Sequence, residues 1–138
     1  WSSDVCSSDL STGAAKAIGK VVPSVNGKLQ GHAQRVQVPD GSVTELTTVL
    51  NTETTADEIN EAFKAAFSDT DYYGYNDEGI VSSDILGDTH GGVFDPTQTD
   101  VNTIDGVTLA RTVSFYDNEY GFTSNMIRTL LYFAEISE

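Results

Sequence analysis

The sequence predicts an α+β fold in which a largely antiparallel or mixed sheet carries helices packed on one face. Two patterns alternate along its 138 residues. Apolar residues recur every three to four positions in some segments, which is typical of amphipathic helices. In other segments they alternate with polar residues, which is typical of half-buried strands. No stretch approaches the ~18 consecutive apolar residues of a membrane span, and the mean hydropathy is -0.23, so we expect a soluble chain.

The first ten residues differ in character from the rest. They repeat Ser-Ser-Asp twice and lack the apolar run of a signal peptide. We interpret residues 1–10 as a leader that is not native to the fold, and we expect the domain to comprise residues 11–138. A foreign leader, a cloning scar and a sequence-assembly artefact all stay open. Cys6 lies in this leader and is therefore a poor catalytic candidate. It is also the only cysteine, which favours a reducing compartment.

A short helix and a turn open the predicted domain. Ser11 or Thr12 can cap the helix, and Pro23 stops it. Asn26-Gly27 then has the composition of a turn.

A β-hairpin is predicted next. Residues 32–38 and 43–50 have strand composition and flank Asp40-Gly41, which is a hairpin-turn dipeptide. Arg35 is therefore expected inside a strand.

The clearest helix signal begins at Thr55. Thr55-Ala-Asp-Glu58 is a capping box, and apolar residues follow at offsets of 0, 3, 4, 7 and 8 from Ile59. The pattern predicts a helix over residues 56–67 with one apolar stripe.

An acidic, Tyr-rich loop over residues 69–79 separates this helix from two short predicted strands, residues 80–84 and 92–94. The loop does not fit a calcium-binding loop, because Tyr73 and Ile80 occupy positions five and twelve, where ligands are needed.

The C-terminal third predicts one long strand and one long helix. Residues 107–116 alternate, with Val107, Leu109, Val113 and Phe115 expected on the buried face. Apolar residues at helical spacing from Phe122 to Ala134 predict a closing helix that packs on the sheet.

The charge of the chain narrows the classes of partner. Seven Lys and Arg residues against twenty-one Asp and Glu residues give a net charge of -14, which repels nucleic acid and anionic membranes. Residues 1–35 nevertheless carry four bases and two acids, whereas the remainder carries three bases and nineteen acids. A small anion is therefore expected to bind near the start of the chain.

Thr12-Gly13 is a candidate phosphate-binding pair, because a hydroxyl and an unobstructed glycine N–H at a helix start suit a phosphate. An ordinary helix cap has the same composition, so the pattern leaves both interpretations open. Arg35 either completes such a site with a bidentate guanidinium or pairs with a carboxylate.

Asn118 joins the long strand to the closing helix and either caps that helix or offers its amide to a ligand; the pattern favours the cap. The only histidines, His32 and His90, have no evident acid, metal or nucleophile partner in the sequence. We assign no catalytic residue and no metal ligand.

Four stretches occur together in a characteristic order. They are Ser11-Thr-Gly-Ala-Ala-Lys-Ala17, Asn26-Gly-Lys-Leu29 followed by Arg35-Val-Gln-Val-Pro39, Val81-Ser-Ser-Asp84, and Tyr116-Asp-Asn-Glu119. From Ser11 to Glu138 the chain resembles the C-terminal part of the catalytic domain of phosphorylating glyceraldehyde-3-phosphate dehydrogenases.

The resemblance implies an α+β unit of a cytoplasmic, glycolytic homotetramer. The parent enzyme oxidises glyceraldehyde 3-phosphate through a cysteine thiohemiacetal, passes hydride to NAD, and releases the thioester to inorganic phosphate. By position, Thr12 and Gly13 match the family's phosphate-contacting pair and Arg35 its phosphate-binding arginine. Asn118 matches the asparagine that holds the nicotinamide carboxamide.

The chain also departs from the family pattern in several places. The nucleotide-binding half, the catalytic cysteine segment and the histidine that activates it all precede the Ser-Thr-Gly-Ala-Ala stretch in the family. Cys6 has no matching context, and Phe122 stands where the family often carries tyrosine. We therefore expect a fragment that is inactive alone. The alternative is a stand-alone, non-catalytic anion-binding or interaction module.

Overall fold

The computed structural model describes residues 10–11 and 13–137. The chain divides into two units, Trp1–Val38 and Pro39–Glu138. The first unit is built around helix α1, Gly13–Val21. Lys20 lies in its last turn, where a cation interacts favourably with the helix dipole. The helix ends before Pro23, as predicted. Gly27 has a φ of +74°, which confirms the turn at Asn26-Gly27.

The predicted hairpin over residues 32–50 is wrong. Only His32–Ala33 forms a strand in its first half, and this strand, β2, pairs antiparallel with β1, Leu10–Ser11. The second half is strand β3, Ser42–Leu50, which pairs instead with β7, Val107–Tyr116. Arg35 therefore lies outside any strand.

Local geometry explains why residues 34–41 do not continue the strand. Val38 N–H bonds Val36 C=O at 2.9 Å, which folds the backbone back on itself, and Pro39 supplies no N–H for a ladder. Val36 and Val38 are both exposed, so extending the strand would bury no apolar face. Gly41 turns with a φ of +87°, but the segments on either side of it do not pair.

The second unit contains a five-stranded mixed sheet with the order β3-β7-β5-β4, and β6 also pairs with β7. The remaining strands are β4, Gly74–Tyr75; β5, Val93–Phe94; and β6, Asp100–Ile104. All pairings are antiparallel except that between β4 and β5. Together with the helices this confirms the predicted α+β class. The buried apolar side chains among the described residues are Ile85, Val93, Phe94, Ala110 and Val113.

Helix α2, Ala56–Phe67, forms over the predicted residues and with the predicted capping box. Thr55 Oγ1 accepts from Glu58 N–H, and Glu58 Oε2 accepts in return from Thr55 N–H. The apolar stripe faces the sheet, because Phe63 stacks on Phe94 of β5 with ring centroids 4.2 Å apart. The capping box thus fixes where the helix begins, and the aromatic pair fixes how it packs on the sheet.

Strand β7 has the predicted limits, but its first half buries the opposite face. Thr108 and Ala110 are buried, whereas Val107 and Leu109 are exposed. The aromatic side chains of α2 line a cavity together with Ser114, so α2 lies over that face of the sheet. Thr108 and Ala110 share this face because strand residues two positions apart point the same way.

The strand predicted over residues 80–84 is a series of turns. Asp84 Oδ2 accepts from Val81 N–H and Asp84 N–H bonds Val81 C=O, so the aspartate closes a turn instead of entering a ladder. The strand predicted over residues 92–94 is present as β5. The segment 69–79, predicted as a loop, contributes the short strand β4.

Helix α3, Asn118–Glu135, is present, but its apolar stripe is exposed. Phe122 is 70% exposed and Leu130 is 60% exposed, so the sheet does not cover this stripe as predicted. The one buried residue of α3 is Gly121. Over residues 10–11 and 13–137, no helix combines the length and the apolar character that crossing a membrane requires.

Candidate functional site

Asn118 lies where β7 ends and α3 begins. It is the first residue of the helix and is exposed. Ser42, the first residue of β3, donates its hydroxyl hydrogen to Asn118 Oδ1 at 2.7 Å. The β3–β7 register makes this contact, because it sets Ser42 opposite Tyr116. In the part of the chain that the structure describes, Asn118 Nδ2 donates no hydrogen bond, so the amide is a fixed donor with free capacity.

The prediction that Asn118 caps α3 is wrong, because Asp117 is the cap. Asp117 Oδ1 accepts from the N–H groups of Glu119 at 3.0 Å and Tyr120 at 2.7 Å. Its Oδ2 accepts from Gly87 N–H at 2.9 Å. Asp and Asn are equally good caps. In the structure the cap is the residue one position before Asn118. The hydrogen bonds from Gly87 and Tyr120 lower the pKa of Asp117, although its carboxylate is buried.

Three carboxylates surround this helix start. One oxygen each of Asp40, Asp117 and Glu119 lies within 4.8 Å of the others. Partial removal from water raises the pKa of Glu119, as do the negative charge of Asp40 and a hydrogen bond to it. The sequence offered no signal for this cluster, because Asp40 is far from Asp117 and Glu119 along the chain.

The predicted phosphate contacts lie in the first unit. Gly13 is the first residue of α1 and is exposed, and a side chain built there would meet nothing within 4 Å. None of the other described residues fills the space beside this helix start. Thr12, the other member of the pair, lies outside the described residues. Arg35 is exposed and forms no ion pair with any carboxylate of residues 10–11 and 13–137.

The β1–β2 bridge relates these two contacts to each other. Leu10 pairs with Ala33 and Ser11 with His32, antiparallel. The chain therefore leaves one end of the bridge toward Gly13 and the other end toward Arg35. The structure places both residues near one two-stranded element, but on chain segments that run from it in opposite directions.

His90 has an acid partner that the sequence did not reveal. Its Nδ1 lies 2.8 Å from Asp88 Oδ1, which also accepts from His90 N–H at 2.7 Å. Because a carboxylate only accepts, Nδ1 carries the hydrogen. Asp88 closes a turn onto the residue two positions later, which is a local Asx pattern that could have been found. His32, the first residue of β2, pairs through its backbone with Ser11 of β1.

A cavity of about 400 Å³ lies between part of α2 and the sheet. Aromatic rings form one side of it, and hydroxyl-bearing side chains of the sheet form the other. Its lining residues are Thr44, Phe63, Phe67, Tyr73, Gly91, Gly92, Ser114 and Tyr116. Sequence reasoning did not predict this cavity, because β3, β7 and α2 come together only in the folded unit.

The chain matches a known protein family. A family model described as glyceraldehyde 3-phosphate dehydrogenase, C-terminal domain, matches residues 5–118. The chain belongs to this family. The resemblance stated from the four ordered stretches is thereby confirmed.

Curated relatives agree with the family assignment. The chain is 56% identical over 128 residues to glyceraldehyde-3-phosphate dehydrogenase of Streptococcus pyogenes, and 57% identical over 126 residues to that of Lactobacillus delbrueckii subsp. bulgaricus. These alignments cover 93% and 91% of this chain, but 38% and 37% of the relatives. The chain thus spans little more than a third of the length of these proteins.

Proposed function

We propose that this chain is the C-terminal part of the catalytic domain of a phosphorylating, NAD-dependent glyceraldehyde-3-phosphate dehydrogenase. The family match, with 56% identity across nearly the whole chain, carries the proposal. The parent enzyme would take glyceraldehyde 3-phosphate, NAD and inorganic phosphate, act in glycolysis in the cytoplasm, and assemble as a homotetramer. The net charge of -14 supports small molecules over nucleic acid or membranes as partners.

Asn118 is the residue proposed to hold the cofactor. NAD, when bound, supplies the acceptor for hydride. The free Nδ2 donor suits the carbonyl oxygen of a carboxamide, and Ser42 fixes the plane of the Asn118 amide through Oδ1. An amide held in this way orients the nicotinamide ring without moving a proton, so its role is positioning.

Thr12, Gly13 and Arg35 are the residues proposed to hold phosphate groups. An exposed helix start offers free N–H groups and the positive end of a dipole, and the accessible guanidinium of Arg35 offers paired donors. Fixed donors of this kind orient a hydrated, weakly nucleophilic oxyanion for attack on a thioester. The excess of basic over acidic residues in this part of the chain supports the same role.

The chain alone is proposed to be catalytically inactive. The segments that carry the family's catalytic cysteine and its histidine base precede Ser11, and no matching residues are present in this sequence. We expect the purified chain, mixed with glyceraldehyde 3-phosphate, NAD and phosphate, to produce no NADH by absorbance at 340 nm. An intact enzyme of the family serves as the positive control. Sustained NADH production by the chain would contradict the proposal.

A non-catalytic anion-binding or interaction module is the second candidate, favoured by the basic start of the chain and the open N-terminus of α1. The upstream reading frame separates the two. Continuous coding for a Gly-rich nucleotide-binding fold and an active cysteine supports the dehydrogenase fragment. An in-frame stop before a genuine start codon supports the module.

A further inference from the structure

The turns over residues 81–87 contact both of the chain segments that meet at Asn118. Gly87 N–H donates to Oδ2 of Asp117, the residue before Asn118, at 2.9 Å. A Cβ built on Gly41, the residue before Ser42, would lie 2.8 Å from the carbonyl oxygen of Ser82. The 81–87 turns therefore lie against the residue that precedes each partner of the hydrogen bond between Ser42 and Asn118.

The 81–87 turns have a defined internal structure. The Val81-Ser-Ser-Asp84 stretch forms the first of them: Val81 N–H donates to Asp84 Oδ2, and Asp84 N–H donates to Val81 C=O, each at 2.9 Å. Ile85 is 2% exposed, and its Cγ2 lies 3.2 Å from the position of a Cβ on Gly41. A closed turn and a buried side chain thus hold the Ser82 carbonyl beside Gly41.

Gly41 allows the start of β3 to approach these turns closely. Its φ of +87° is a conformation that glycine adopts without strain. The backbone turns there, and the next residue, Ser42, begins β3 opposite Tyr116. The hydroxyl of Ser42 lies 2.7 Å from Asn118 Oδ1. This hydrogen bond forms only where the start of β3 and the start of α3 are correctly spaced.

We propose that the 81–87 turns and Gly41 are positioning elements for Asn118. They act through Asp117 on one side and through Ser42 on the other. By contacting both segments, the turns hold the starts of α3 and β3 at a fixed separation, so the Asn118 amide keeps one orientation. An amide that is already ordered loses little conformational freedom when a ligand binds, which favours binding. The inference rests on the proposed role of Asn118 in holding the nicotinamide.

Gly41→Ala tests the contact with Ser82. A Cβ 2.8 Å from the Ser82 carbonyl oxygen is well inside van der Waals contact, so either the turns or the start of β3 must move. Gly79→Ala is the matched control. Gly79 has a φ of +73°, but a Cβ there meets nothing within 4 Å. Both variants carry similar backbone strain, and only the first presses on the 81–87 turns.

NMR of the full chain measures the order of the Asn118 amide. Its Nδ2 signal is assigned by its loss in Asn118→Ala, and its heteronuclear NOE reports motion on the ps–ns timescale. We expect a value close to that of the backbone in the wild type and in Gly79→Ala, and a much lower value in Gly41→Ala. Ser42→Ala should lower it too, whereas Ser42→Thr keeps the hydroxyl and should retain the wild-type value.

Two results of this measurement overturn the proposal. One is an Asn118 amide that is mobile in the wild type, and the other is an amide that Gly41→Ala and Gly79→Ala affect equally. Asp84→Ala replaces Gly41→Ala if the latter does not fold. It removes the acceptor of Val81 N–H from an exposed position and should also loosen the amide. An unchanged amide in Asp84→Ala counts equally against the proposal.

The complete enzyme, expressed from the continuous reading frame, tests the consequence for the cofactor. Gly41→Ala should raise the Kd for NAD by about two- to tenfold, which corresponds to one hydrogen bond, with a smaller change in the KM for glyceraldehyde 3-phosphate. Gly79→Ala should leave both unchanged. If Asn118→Ala leaves the Kd for NAD unchanged, the proposed role of Asn118 is wrong and the positioning role falls with it. If Asn118→Ala raises the Kd and Gly41→Ala does not, only the positioning role is wrong.

Discussion

A single buried carboxylate, Asp117, joins three parts of the second unit. It caps α3 through Glu119 and Tyr120 and also accepts from Gly87 in the preceding turns. Asn118, the proposed cofactor contact, follows directly. Asp117 therefore fixes the backbone from which the Asn118 amide projects.

Replacing this carboxylate tests its role. The pKa of Asp117 is lower in the folded chain than its ordinary value of 3.8, chiefly because Gly87 N–H bonds the charged form. Its stabilisation is therefore present above pH 3.8 and is lost as the pH falls through the folded pKa. We expect Asp117→Asn to lower the melting temperature by several degrees at pH 7.

The pH dependence of that loss identifies its cause. The difference in melting temperature between wild type and Asp117→Asn should shrink as the pH falls below 3.8. Asp69→Asn removes a carboxylate that is exposed, and should have little effect at any pH. A difference for Asp117→Asn that stays constant from pH 7 to pH 2 would show that its charge is irrelevant.

Helix α3 is held by its attachment to the loop around His90 and not by its apolar stripe. Arg128 Nη1 donates to Thr89 C=O at 2.8 Å, and its guanidinium lies 5.8 Å from the centre of the Tyr72 ring. Gly121 is buried where a Cβ would approach His90 C=O to 2.6 Å. The helix thus approaches this loop closely only because residue 121 has no side chain.

Gly121→Ala measures that close approach. Alanine gains about 1 kcal/mol of helix propensity, but the clash is with backbone, and overpacking of this kind costs about 1–3 kcal/mol. We expect a net loss of up to about 2 kcal/mol in the free energy of unfolding, measured with urea. Thr123→Ala, at an exposed position of the same helix, is the control and should be neutral or slightly stabilising. A stabilised Gly121→Ala variant would show that the loop around His90 moves away from the added methyl group without loss of stability.

The whole chain combines a strongly acidic second unit with uncovered apolar surface. The stripe of α3 lines a shallow groove with Phe122, Met126 and Leu130, each at least 46% exposed. Folded monomers seldom leave a contiguous apolar patch of this kind uncovered. The surface is consistent with a chain that spans 38% of its curated relatives.

Dye binding measures this surface. We expect the chain to enhance the fluorescence of an apolar-surface dye, and the paired substitution Phe122→Ser with Leu130→Ser to reduce the enhancement by about half or more. Val81→Ser removes an exposed apolar side chain away from the stripe and should change it little. If the wild-type chain does not enhance the fluorescence of the dye, the conclusion that the stripe is exposed is wrong.

Features that depend on neighbouring residues were predictable from the sequence. The limits of α2 follow from a capping box and a stripe within twelve residues, and the turn at Gly27 follows from one dipeptide. The limits of β7 follow from its alternation. The four ordered stretches were sufficient to identify the family, because each can be recognised from its own residues without knowledge of the fold.

Pairings between distant segments were not predictable. β3 pairs with β7 because β7 presents nine residues in register, whereas the nearer segment 34–38 folds back and ends at a proline. That register brings Ser42 to Asn118. Local composition sets which backbone conformation each segment prefers. The partner of a strand, and the face that it buries, depend on surfaces that exist only after the chain has folded.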